Sequence, residues 1–128
     1  MGLRIHTILS DLKNPGLYTN VDRYHQRVYD LNKLLSISVD QSRYKLSLSD
    51  YSDNRLSSVS SKDLLTSALS FEENPFFPFF EKKIRPLILA SDSPYVGISL
   101  CYLNQALVSF ALAGWIKSNF RNKKLVMG

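Results

Sequence analysis

Apolar residues recur at helical spacing in several separate stretches of the chain. Ile5, Ile8, Leu9 and Leu12 share one face of a first helix, which Asn14-Pro15-Gly16 ends because proline interrupts the hydrogen-bond ladder. Asn20 then offers a side-chain oxygen to the unpaired amides of a second helix. Its stripe is Val21, Tyr24, Val28, Leu31 and Leu35, with Asp22, Arg23, Arg27, Asp30 and Lys33 toward water. In the next stretch Leu35, Ile37, Val39 and then Tyr44, Leu46, Leu48 alternate with polar residues, which predicts a small β-hairpin near residues 35–49 with its turn at 40–43. A short helical turn over 43–48 is the alternative, since an isolated hairpin is marginally stable. After a polar loop, Ser60 or Ser61 caps a helix carrying Leu64, Leu65, Ala68, Leu69 and Phe71, closed by Asn74-Pro75.

Four phenylalanines surround Pro78 in Phe76-Phe77-Pro78-Phe79-Phe80 and bury a large area wherever they pack. Pro78 suits the first turn of a helix that Glu81 to Ile84 continue, and Pro86 kinks or ends it before Leu87-Ile88-Leu89. Ser91-Asp92-Ser93-Pro94 reads as another helix start, with Ser93 as cap and Pro94 in the first helical position. A long last helix is expected from Tyr95 to about Phe120, past Gly97 and Gly114.

From Tyr95 through Ile116 no residue is charged, a length that admits a membrane span. Asn104 and Gln105 fall at its midpoint, with Ser99 and Ser109 nearby, and unpaired amides at a bilayer centre are costly. The amphipathic helices elsewhere also need an apolar surface to cover. A central helix of a soluble bundle is therefore the expectation, Cys101 within it is read as a core residue, and a single-span membrane protein stands third.

The chain has 128 residues, 45% of them hydrophobic and 21% charged, which fits one ordinary globular domain. The expected fold class is mainly α, a compact single-domain helical bundle over residues 1–128 around the long apolar C-terminal helix, with a short basic tail over about 117–128. One cysteine rules out an internal disulfide framework and a cysteine-based zinc site. The opening Met1-Gly2-Leu3-Arg4-Ile5-His6 lacks the pattern of a secretory signal, so a cytoplasmic setting is expected. The net charge is +5. Lys117, Arg121, Lys123 and Lys124 supply most of it, and cations there also complement the negative end of a helix dipole.

Catalytic chemistry finds little material. His6 and His25 are distant in sequence and would need the fold to bring them together as an acid and base; surface or half-buried positions are the simpler expectation. There is no Gly-x-Ser-x-Gly, no phosphate-cradling loop and no His-Glu-x-x-His, and neither histidine has a second strong ligand at helical spacing. No enzyme activity, cofactor or metal is expected. Asp40, Tyr44, Asp50, Tyr51 and Asp53 concentrate carboxylates and tyrosines mid-chain, with Glu72 and Glu73 as possible neighbours, and such residues suit protein recognition. The expected function is a non-enzymatic protein-binding module, most concretely a small bacterial immunity or inhibitor protein that covers the active site of a toxin or nuclease. Replacing Asp50, Tyr51 and Asp53 together by alanine is expected to weaken binding without unfolding. The alternative is a small nucleic-acid-binding protein or regulator using Arg23, Arg27, Lys117, Arg121, Lys123 and Lys124.

Overall fold

The computed structural model describes residues 2–128, and the side chains of residues 4–128. Its secondary structure is mainly helical, and the chain packs as two units, Met1–Tyr51 and Ser52–Gly128.

In the first unit α1 (Gly2–Leu12) and α2 (Val21–Ile37) flank a 3-10 turn at Pro15–Thr19. The asparagines act as the sequence predicts. Asn14 Oδ1 accepts from the Gly16 amide at 2.9 Å, and Asn20 Oδ1 caps α2 through the Arg23 amide at 3.0 Å. Ile8 and Leu17 are buried. The predicted β element exists but in a different place. Leu35 and Ile37 stay helical, and Asp40, whose Oδ1 accepts from the Ser42 amide, connects helix to strand instead of turning a hairpin. β1 (Tyr44–Leu46) and β2 (Tyr51–Asp53) form a two-stranded sheet. Its turn lies at residues 47–50, where the Ser47 amide donates to the Asp50 carbonyl at 2.9 Å and the Asp50 amide donates to Ser47 Oγ at 3.0 Å.

The second unit begins with α3 (Ser61–Leu69), capped by Ser60 and ending before a 3-10 turn at Phe71–Glu73. The phenylalanine segment forms α4 (Phe77–Phe79), a π-helical turn at Phe80–Ile84 and α5 (Arg85–Leu89). Pro86 explains the π turn: its ring would collide with the carbonyl four residues back, so the helix widens and the Arg85 amide reaches the Phe80 carbonyl.

The long last helix is shorter than expected. Ser91-Asp92-Ser93-Pro94 leads into a strand, β3 (Tyr95–Ile98), and α6 (Ala106–Asn119) follows with 14 residues. The stretch expected as a basic tail contains β4 (Lys124–Met127), which pairs in parallel with β3, Tyr95 opposite Lys124 through Ile98 opposite Met127. A parallel pair needs a crossover, and α6 supplies it. Gln105 Oε1 accepts from the Cys101 amide at 3.1 Å and the Tyr102 amide at 3.3 Å, so the Gln105 side chain, expected mid-helix, holds the loop before it. Cys101 lies in that loop and is exposed, not in the core.

From Ala106 to Ile116, its uncharged part, α6 is buried or half-buried on every side, with Trp115 and Ala111 fully enclosed, and Lys117 to Asn119 are exposed. The core of this unit is Phe80, Ile88, Ala111, Trp115, Ile116 and Phe120, with Val96, Ile98 and Leu125 packed against it from the sheet. On another side α6 meets α3, where Ser67 Oγ donates to the Leu107 carbonyl at 2.7 Å and Gly114 lies against the Ala68 backbone. No helix among the described residues is long and apolar enough to cross a membrane.

Candidate functional site

A polar cluster of the second unit surrounds Trp115. The π turn and α5 hold Glu81 and Arg85 one turn apart, and α6 presents Trp115 and Asn119 to them. Arg85 grips Glu81 with two hydrogen bonds, Nε to Oε2 at 2.6 Å and one terminal nitrogen to Oε1 at 2.9 Å. That nitrogen also donates to Asn119 Oδ1 at 2.9 Å. Trp115 Nε1 donates to Glu81 Oε1 at 2.7 Å, and Asn119 Nδ2 donates to the Trp115 carbonyl at 2.9 Å. The guanidinium lies 5.3 Å from the Trp115 ring centre and 5.5 Å from that of Phe120.

This geometry fixes the protonation of Glu81. The Arg85 hydrogen bonds, then the Trp115 indole, hold its carboxyl at about 2 against an ordinary 4.5, and partial burial opposes them. A carboxylate ionised throughout the neutral range, with both oxygens occupied, is a poor general acid or base and a good anchor for an indole. The stabilisation is complete above about 4.5 and is lost as pH falls toward about 2, because the unfolded chain takes up the proton first. The protein is expected to lose stability across that window. Glu81→Gln should be less stable near neutrality and show a shallower acid loss, read as urea midpoints at about pH 6 and about pH 3.

The mid-chain residues expected to bind a partner occupy unlike environments. Tyr44 and Tyr51 are buried and stack on each other at 6.2 Å, and Arg43 covers Tyr44 at 4.9 Å, so their rings hold the small sheet together. Asp53 is also buried, with Oδ1 accepting from the Arg55 amide at 2.8 Å. Asp40 and Asp50 are exposed in the first unit, Glu72 and Glu73 in the second. Replacing Asp50, Tyr51 and Asp53 together would therefore damage the fold, contrary to the sequence expectation.

The basic residues are similarly engaged. Arg27 Nε lies 2.6 Å from Asp11 and its terminal nitrogen 3.5 Å from Asp30, while Arg23 reaches Asp11 at 3.6 Å. Lys123 Nζ donates to the Ser91 and Ser93 carbonyls at 2.8 and 2.6 Å, and Lys124 lies 5.6 Å from the Tyr95 ring centre. Lys117 and Arg121 are exposed, as are His6 and His25. Among the described residues no group of three or more His, Cys, Asp or Glu side chains is placed to hold a metal.

Each unit carries an open cleft. The first, about 230 Å³, lies beside Tyr44, Lys45 and Asp50; the second, about 250 Å³, lies between α5 and Tyr95, with Lys123 at its rim. A third feature is apolar. Leu65 and Leu69 lie one turn apart on the side of α3 away from its buried Ser67, and are 59% and 76% exposed. Five apolar positions from Leu64 to Phe71 were too many for one contact face, and that excess was the available signal. Comparisons of the chain with protein-family models, curated proteins and solved structures return no match.

Proposed function

We propose that the protein is a non-enzymatic protein-binding module of the cytoplasm, in its most concrete form a small inhibitor of the bacterial immunity type that covers the active site of a toxin or nuclease. The exposed Leu65 and Leu69 pair on α3 carries this reading. Single exposed aliphatic residues are ordinary, but two on one helix face form a stripe that water disfavours and a partner can cover. Leu87 and Leu89, at 67% and 70%, add exposed aliphatic surface in the same unit. The exposed carboxylates Asp40, Asp50, Glu72 and Glu73 suit a role in steering a partner toward the protein more than in adding affinity.

Tagged wild-type protein and a Leu65→Arg, Leu69→Arg double variant, expressed in source cells and captured with and without nuclease treatment, test the reading. One stoichiometric protein is expected to survive nuclease and to fall about tenfold or more with the double variant, whose melting temperature stays close to wild type. Material that vanishes with nuclease, or that ignores the double substitution, would overturn it.

A further inference from the structure

We propose that the outer edge of β4 accepts an extended, acidic segment of a partner protein as a third strand. This rests on the protein-binding reading and gives the partner a chemistry. Parallel sheets are as a rule multi-stranded and covered on both faces, whereas β3 and β4 stand as a pair whose outward side chains, Tyr95 and Val126, are 55% and 56% exposed. The Lys124 amide donates to the Pro94 carbonyl at 2.7 Å, the Gly128 amide to the Ile98 carbonyl at 3.1 Å, and the Leu100 amide to the Gly128 carbonyl at 2.7 Å. Backbone groups alternate along a strand, so the amides and carbonyls of Leu125 and Met127 face away from β3, where no strand among the described residues pairs with them.

The β3 edge is less available. Ser93 Oγ accepts from the Tyr95 amide and donates to the Tyr95 carbonyl, both at 3.2 Å, and so occupies one of the two outward residues, Tyr95 and Gly97, that an incoming strand would use.

Charge selects the occupant. From Ser93 through Gly128 the sequence contains Lys117, Arg121, Lys123 and Lys124 and no acidic residue. A second copy presenting the same edge would bring the same cations against these, whereas an acidic strand is attracted. Added strands gain affinity from main-chain hydrogen bonds and specificity from alternate side chains. Single-stranded nucleic acid would also be drawn to these cations and stack on Tyr95, but it makes no use of the Leu125 and Met127 amides. Those two amides decide between the occupants.

The test uses fluorescent peptides of alternating glutamate and valine or of alternating lysine and valine, with an oligothymidylate, read by anisotropy at low salt. The glutamate peptide is expected to bind about tenfold or more tighter than the lysine peptide. Met127→Pro removes an outward amide without removing a β3–β4 hydrogen bond, and should weaken the glutamate peptide about tenfold or more, while Met127→Leu retains binding. Should Met127→Pro not fold by circular dichroism, amide exchange on the wild-type protein reports instead: the peptide should slow exchange at Leu125 and Met127. No preference for the acidic peptide, unchanged affinity in a folded Met127→Pro protein, or protection that bypasses both amides would overturn the proposal. Tighter oligothymidylate binding that ignores Met127→Pro would also overturn it, in favour of nucleic acid. Failure here with Leu65- and Leu69-dependent capture intact removes the strand site alone.

Discussion

Replacing Trp115 by alanine is expected to destabilise the second unit by about 4 kcal/mol, within the range for deleting a buried aromatic side chain. Trp115 is 0% exposed and touches Phe80 at 5.8 Å and Phe120 at 5.6 Å between ring centres, so the cavity would open in the middle of the core. The loss has a polar part as well, because Glu81 Oε1 gives up the indole N–H. Trp115→Phe separates the two: most of the apolar area remains, and the lost hydrogen bond with imperfect filling should cost about 1–2 kcal/mol. Urea denaturation followed by circular dichroism measures both, since the protein's one tryptophan is itself the substituted residue. A Trp115→Ala protein as stable as wild type would show that this core is not what holds the unit together.

Gly114→Ala should be comparably damaging, although in an isolated helix it would add about 1 kcal/mol of stability. The added Cβ would fall on the Ala68 carbonyl oxygen, with the Ala68 carbonyl carbon at 2.6 Å and its Cα at 2.9 Å. Backbone cannot rotate aside as a side chain can, so α3 must lift from α6 and the Ser67–Leu107 hydrogen bond stretches or breaks. A net loss of about 3 kcal/mol follows from overpacking of this kind. Ala68→Gly should fail to rescue it, because the obstructing atoms are main chain. Gly97→Ala serves as the control: its Cβ would meet nothing within 4 Å, and thermal denaturation should find it near neutral.

What the sequence made legible was local. The Asn20 and Ser60 caps and the end of α1 at Asn14-Pro15 depend on residues within a turn or two of one another, and all are found, while the kink or end expected at Pro86 takes the form of a π-helical turn before it. Tyr95 to Ile98 is a strand because Lys124 to Met127 lies beside it, and no window around Tyr95 contains that partner. Extending α6 back to Tyr95 misplaced Cys101, Asn104 and Gln105 together. The tyrosine-rich middle was read for composition, which does not distinguish a ring offered to a partner from one stacked on its neighbour, as Tyr44 and Tyr51 are. The cluster around Trp115 was missed: Glu81 and Arg85 have the four-residue spacing of a helical ion pair, but the indole that completes it belongs to another helix.

The parallel pairing of β3 with β4 also sets an order of assembly. Tyr95 and Lys124 are about thirty residues apart, and the chain between them loses little entropy on closing the pair once α6 has formed and docked, but much if it is still a coil. The helical core is therefore expected to form first and the sheet last. In reverse, openings that part the two strands while Trp115 stays enclosed are expected to cost less than unfolding the core, so hydrogen exchange should run faster at the β4 amides than at those of α6.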